Sequence, residues 1–90
     1  MAINLVFIAG GREIFMIRID GRDIFWNDKK SGLQMLYPTP SKFALKLGGK
    51  PSNEDLKEYN LCKTEEELAS FVIRDCKKNN AKLIKREVIK

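Results

Sequence analysis

The side chains that usually carry out acid–base or nucleophilic catalysis are poorly represented in this chain. Histidine, the commonest general base, is absent from all 90 residues. The carboxylates of Asp20, Asp23 and Asp28 stand at predicted turns, where aspartate is favoured for backbone reasons. The three glutamates at 65–67 stand at the predicted start of a helix, where they serve capping. Each candidate catalytic group therefore has a structural explanation, and we expect the protein not to be an enzyme.

The two cysteines, Cys62 and Cys76, do not form a metal-binding pattern. They are fourteen residues apart, with no Cys-x-x-Cys motif and no histidine to complete a tetrahedral zinc site. We therefore predict no metal and no cofactor. Both thiols are expected to be free, with Cys76 acting as a small apolar residue on a helix. A structural disulfide between the two is the alternative.

The strongest functional signal is positive charge concentrated at the end of the chain. The net charge is +5, yet residues 1–76 contain eleven cationic and eleven anionic side chains. Residues 77–90 contain one anion, Glu87, against six cations: Lys77, Lys78, Lys82, Lys85, Arg86 and Lys90. Such a segment is the electrostatic footprint expected for a polyanionic partner. It is also typical of a helix C-terminus followed by a protected edge strand, because lysines complement the helix dipole and hinder strand aggregation.

Aromatic side chains on a small sheet provide a second means of binding nucleic acid, because bases stack on them. Trp26 and Tyr37 are the candidates for this role. Together with the six cations they make up the predicted nucleic-acid contacts. The alternative for both aromatics is ordinary burial in the core.

The elements that would position these groups begin with residues 2–27. The dipeptides Gly10-Gly11 and Asp20-Gly21 separate runs rich in isoleucine, valine and phenylalanine, and both allow the positive φ angles of hairpin turns. The pattern predicts a three-stranded β-meander. Two-residue turns centred on these dipeptides would pair Phe7 with Ile14, and Arg18 with Asp23 as an ion pair.

That register distributes apolar side chains over both faces of the meander. One face would carry Ile3, Leu5, Phe7, Ile14, Met16 and Phe25, and the other Val6, Ile8, Phe15, Ile17, Ile19, Ile24 and Trp26. An antiparallel sheet with one solvated face usually alternates apolar with polar residues, so we expect both faces to be covered. One helix covers only one face. The second cover would be the rest of the chain, a second copy of the protein, a partner or a ligand.

Residues 28–51 are interpreted as a turn followed by a connection containing proline and glycine. Residues 33–37 are predicted to form a short fourth strand, which Pro38 and Pro40 end because proline cannot donate to a sheet. The pattern of residues 41–47 fits either a strand or a short helix, and a helix is favoured. Residues 48–51 are predicted to form a linker.

Residues 52–79 are predicted to be helical. Ser52 would cap a short helix that ends near Tyr59. Thr64, followed three positions later by Glu67, predicts the capped start of the main helix. Its apolar stripe is formed by Leu68, Ala69, Val72, Ile73 and Cys76. Phe71 projects to the side of this stripe, where it would cover the sheet margin or mark a contact surface.

These elements predict an α+β fold in a single domain spanning residues 1–90. An antiparallel β-meander of three to four strands would pack against one main C-terminal helix, and a final basic edge strand would cover residues 82–89. A helix continuing through 82–89 is the alternative. The N-terminal segment lacks the basic start and the length of a secretory signal or membrane span, so we expect a cytoplasmic location.

The function predicted from these features is binding without catalysis. We expect a small binding or regulatory module that contacts nucleic acid or a nucleoprotein through its basic C-terminal segment. The alternative is a protein-interaction or inhibitor module, a homodimer or a partner-bound protein, that uses an apolar sheet face or an edge strand. Neither a membrane contact nor a small-molecule substrate is predicted.

Overall fold

A computed structural model describes residues 2–28, 32–39 and 52–89. The described residues form β1 (Ala2–Ala9), β2 (Glu13–Asp20), β3 (Asp23–Asp28), β4 (Gly32–Tyr37), α1 (Asn53–Leu61), α2 (Glu65–Lys78) and β5 (Ala81–Ile89). The predicted α+β class and the meander are confirmed. The predictions for residues 41–47 and 48–51 lie outside the described residues.

The strands form one antiparallel sheet with the order β4-β3-β2-β1-β5. The first four strands follow one another as a meander, and β5 returns from the helices to pair with β1. The predicted basic edge strand is therefore confirmed, and it begins at Ala81. Asn80, with a φ of 62°, takes the left-handed conformation that reverses the chain between α2 and β5.

The first hairpin differs from its prediction by one residue. Its turn contains the three residues 10–12 instead of two, so Phe7 faces Phe15 and not Ile14. The two glycines of this turn have φ angles of 60° and 75°, which suit glycine far better than other residues. A shift of one residue moves every side chain of one strand to the other face relative to its neighbour. The predicted division of β1 and β2 between the two faces is therefore wrong.

The second hairpin is shifted by two residues from its prediction. Its closing pair is Asp20 and Asp23, and Arg18 consequently faces Phe25. The guanidinium of Arg18 lies 4.0 Å from the carboxylate of Asp20 in the same strand, so the predicted Arg18–Asp23 ion pair is wrong. Because side chains alternate with a period of two, this shift leaves the division between the faces unchanged.

The core lies between one face of the sheet and the two helices. The sheet contributes Ile3, Leu5, Phe7, Ile17, Ile19, Ile24 and Tyr37, and α2 contributes Leu68, Ala69, Phe71, Val72 and Cys76. The one-residue shift of the first hairpin brings the apolar rows of β1 and β2 onto this same face. The apolar stripe predicted for α2 is confirmed, and it covers the resulting surface.

An aromatic cluster joins both helices to the outer strand β4. The ring of Tyr37 stacks on Tyr59 with their centroids 5.0 Å apart, and it meets Phe71 edge-on at 5.6 Å. Phe71 is only 2% exposed, so it covers the sheet margin, which is the first of the two alternatives predicted for it. Stacked and edge-to-face pairs of this kind add to the stabilisation that burial alone supplies.

Arg22, in the turn between β2 and β3, holds that turn against the end of α1. Its guanidinium donates hydrogen bonds to the carbonyl oxygens of Tyr59 and Cys62 and lies 4.7 Å from the centre of the Tyr59 ring. The hydroxyl of Tyr59 donates in return to the carbonyl of Arg22. The last turn of α1 has no basic residue of its own. Arg22 therefore supplies the positive charge and the donors that a helix C-terminus needs.

The opposite face of the sheet, here called the open face, carries neither of the two described helices. Its apolar side chains are Val6, Ile8, Ile14, Met16, Phe25, Leu33 and Met35, as the strand register shows. Ile14 and Leu33 are 55% and 49% exposed. The Oδ1 atom of Asn4, also on this face, is buried and accepts no hydrogen bond from the described residues.

Candidate polyanion-binding site

The return of β5 after α2 brings three lysines to one corner of the molecule. Lys77 and Lys78 are the last two residues of α2, and Lys82 is the second residue of β5. All three side chains are exposed. None of them forms an ion pair with another described residue. We call Lys77, Lys78 and Lys82 the basic corner.

Arg12 is a further cation near this corner that the sequence did not single out. Ala81, at the start of β5, faces Ala9, at the end of β1. The turn after β1, which contains Arg12, therefore lies at the same end of the sheet as the turn between α2 and β5. Arg12 is exposed. No local pattern could have indicated this proximity, because it depends on the pairing of the first strand with the last.

The remaining described cations of the basic segment are paired with carboxylates. Lys85 Nζ lies 3.8 Å from Glu87, and the guanidinium of Arg86 donates to the carboxylate of Glu66. Glu66 belongs to the acidic first turn of α2, beside which the second half of β5 runs. Exposed pairs of this kind contribute little stability, but they reduce the local positive charge. Lys90 lies outside the described residues.

The two paired cations also lie on different sides of the sheet. Arg86 faces Leu5 and belongs to the side covered by the helices, whereas Lys85 faces Val6 on the open face. Between them and the basic corner, a bulge leaves Ile84 as an extra residue in β5, 51% exposed. A bulge and flanking lysines are the usual protection of an edge strand against pairing with another chain. The structure thus divides the five described cations of the basic segment into a corner and a protected edge.

A groove of about 470 Å³ opens between α2 and β5 at the basic corner. Its apolar lining consists of Ile73 from α2 and Ala81 and Leu83 from β5. Lys77 on the helix and Lys82 on the strand also line it. The groove therefore combines an apolar wall with Lys77 on its helix side, whereas Lys82 faces Ile8 and its side chain belongs to the open-face row of β5.

The two predicted aromatic contacts lie away from this site. Tyr37 is 7% exposed and belongs to β4, at the opposite edge of the sheet from β5. Burial, followed by the nearby carboxylate of Asp55, raises the pKa of the Tyr37 hydroxyl above its ordinary value. Trp26 is half-buried in β3, and two strands separate it from β5. Tyr37 is thus a core residue, the alternative stated for it, and the structure does not bring either ring to the lysines.

The cysteines are both free, as predicted, and both are buried. Burial raises the pKa of the Cys76 thiol to about 12, and burial is also the main cause that raises the pKa of Cys62. Burial, and after it the carboxylate of Asp55, raises the pKa of Asp75 on α2. Within the described residues, no three histidine, cysteine or acidic side chains are grouped as metal ligands.

The described residues form a small α+β domain with a lysine-rich corner at the junction of α2 and β5. None of the helices in the described ranges is both long enough and apolar enough to cross a membrane. No protein-family model matches the sequence, and no curated protein or solved structure matches it either.

Proposed function

We propose that this protein is a non-catalytic binding module that holds nucleic acid through its basic corner. The observation that carries the proposal is the position of Lys77, Lys78 and Lys82 at the junction of α2 and β5, where all three are exposed and none forms an ion pair within the described residues. An ammonium group without an internal partner is available to a phosphate. Each phosphate that is neutralised releases condensed counterions, which is the source of the binding free energy.

The small number of unpaired cations limits the affinity that this surface can provide. Three lysines, with Arg12 nearby, would contact about three or four phosphates, so the logarithm of the binding constant should fall against the logarithm of salt concentration with a slope of about −2 to −4. Dissociation constants for binding by charge alone are on the order of 10⁻⁴ to 10⁻⁶ M at physiological salt. We expect values in this range.

The decisive experiment compares two double variants that lose the same charge at different places. K77Q/K82Q removes two cations of the basic corner. K57Q/K63Q removes two exposed lysines from α1 and from the segment before α2. Lys63 and Lys77 flank opposite ends of the 14-residue helix α2, about 20 Å apart along its axis.

Fluorescence anisotropy with labelled oligonucleotides would measure both affinity and salt dependence. We expect K77Q/K82Q to weaken binding about tenfold at low salt and to reduce the salt slope by about 1.5 to 2, while K57Q/K63Q binds like the wild type. Thermal melts establish that both variants are folded. Equal losses in the two variants would assign the effect to net charge alone, and a wild type that binds no oligonucleotide would refute the proposed function.

A second candidate function is protein interaction through the open face. Ile14 and Leu33 are about half exposed there, beside the half-buried Val6, Met16 and Phe25. A contiguous apolar surface on a small domain is typical of an interaction site. The bulge and the lysines of β5 make pairing through the edge strand the less favoured form of this alternative.

A further inference from the structure

The groove at the basic corner has an apolar wall that phosphate binding alone does not require. Ile73, Ala81 and Leu83 line it beside Lys77, and Lys82 stands on the same strand as Leu83 but in its open-face row. The groove has a volume of about 470 Å³ and is open to solvent. A ligand that matches this surface carries an apolar body for the groove, a negative charge for Lys77 and a second negative charge for Lys82 across the edge of β5.

Single-stranded nucleic acid has this alternation, whereas a duplex does not. In a single strand, bases are free to leave the stack and lie against protein, with a phosphate on either side of each nucleoside. In a duplex the bases are paired inside, and only sugars and phosphates would meet the apolar wall. Ile73 and Leu83 would then face charged groups and lose favourable contact with an apolar partner.

We propose that the groove accepts one unpaired base against Ile73 and Leu83, with one neighbouring phosphate on Lys77 and the other carried over the edge strand β5 to Lys82, so that the basic corner selects single-stranded nucleic acid. This inference rests on the proposed function and specifies its ligand. The contact is with aliphatic side chains, since the two predicted aromatic contacts lie elsewhere, and its free energy comes from burial of the base surface.

Electrostatic attraction alone would favour double-stranded over single-stranded nucleic acid. Double-stranded DNA carries the denser charge, and its salt slope per contacted phosphate, about −0.9, is steeper than the value of about −0.7 for single strands. A preference for single strands at equal phosphate number therefore requires a contact beyond charge. Burial of part of one base corresponds to a preference of about threefold to tenfold.

The first test uses the wild-type protein with three ligands of equal phosphate number: a single strand, a duplex and a single strand whose sugars carry no bases. Anisotropy titrations at several salt concentrations give the three affinities. We expect the single strand to bind threefold to tenfold more tightly than either of the others. Because the protein is unchanged, the comparison does not depend on how any variant folds.

The second test removes the apolar wall and keeps the lysines. L83S should abolish the preference for the single strand while duplex affinity and salt slope stay unchanged, and thermal melts verify its folding. Equal binding of the abasic strand and the normal strand, a duplex that binds as tightly, or a folded L83S that keeps the preference would each overturn the inference. These results leave the proposed function intact, whereas the absence of binding to every ligand would refute both.

Discussion

Arg22 shows how a single side chain can join two parts of this fold that are distant in sequence. Its hydrogen bonds reach carbonyl groups 37 and 40 positions away, at the end of α1, and its guanidinium lies over the Tyr59 ring. Its side chain substitutes for the missing basic residue in the last turn of that helix. An arginine is suited to this position because its planar group offers several donors in fixed directions.

We therefore expect R22A to lower the free energy of unfolding by about 1 to 2 kcal/mol, since it leaves helix-end carbonyls without their charged donors. R22K keeps the charge but not the paired donors, so it should restore only part of this loss. Denaturant melts of the two variants measure the effect. R12A is the matched control, an exposed arginine in the other hairpin turn of the same sheet, and it should change stability by less than about 0.5 kcal/mol. A loss in R12A as large as that in R22A would contradict this role.

At the scale of elements, the three-residue turn between β1 and β2 decides which side of β2 is buried. Phe15 stacks on Phe7 on the helix-covered face, with their ring centroids 5.3 Å apart. Met16, the next residue, lines a shallow cavity on the open face with Val6 and Ile14. A two-residue turn would place Met16 on the side of Phe7 instead.

Aspartate introduced at position 15 or at position 16 tests which of the two side chains is buried. F15D should destabilise the domain by more than about 3 kcal/mol, because it places a carboxylate against the core, whereas M16D on the open face should cost about 1 kcal/mol. Circular dichroism during urea unfolding would compare them. If M16D unfolds the protein as completely as F15D, the open face is covered as tightly as the core, or the register is the two-residue one.

At the scale of the whole molecule, the basic corner and the open face adjoin, because Lys82 lies in the same cross-strand row as Ile8 and Ile14. The basic corner is at the junction of α2 and β5, whereas Ile14 and Leu33 belong to β2 and β4 on the open face. The two candidate functions therefore depend on separate residues. A variant on β4, at the opposite edge of the sheet from β5, can change the open face and leave the basic corner unchanged, so the two proposals are independently testable.

The second candidate function is protein interaction through the open face. If two copies of the protein associate through this face, light scattering should give a mass twice that of the 10.4 kDa chain. L33K places a charge on the open face in β4, at the opposite edge of the sheet from β5, and should yield a monomer, while oligonucleotide binding persists. I84K is the matched control, because Ile84 is similarly exposed at 51% but lies at the bulge of β5. A wild type that is monomeric at all concentrations would exclude self-association through this face.

Features that depend only on neighbouring residues could be predicted from the sequence. Ser52 and Thr64 accept hydrogen bonds from the backbone amides three positions ahead, as their capping patterns predict. The glycines mark the hairpin turns, and Asn80 ends α2 in the left-handed conformation. Caps, turns and apolar periodicity are local properties, and these were sufficient for the fold class and the order of elements.

Tertiary structure alone decided which of these residues form the candidate site. The turn at residues 10–12 could close with two or three residues, and only packing against the helices selects the register that unites the apolar rows. Arg86 meets Glu66 because β5 runs back along α2, a contact across 20 positions that no local pattern records. Which cations of the basic segment are paired with carboxylates follows from such contacts, and for that reason the sequence could indicate the basic segment but not which of its lysines stay unpaired.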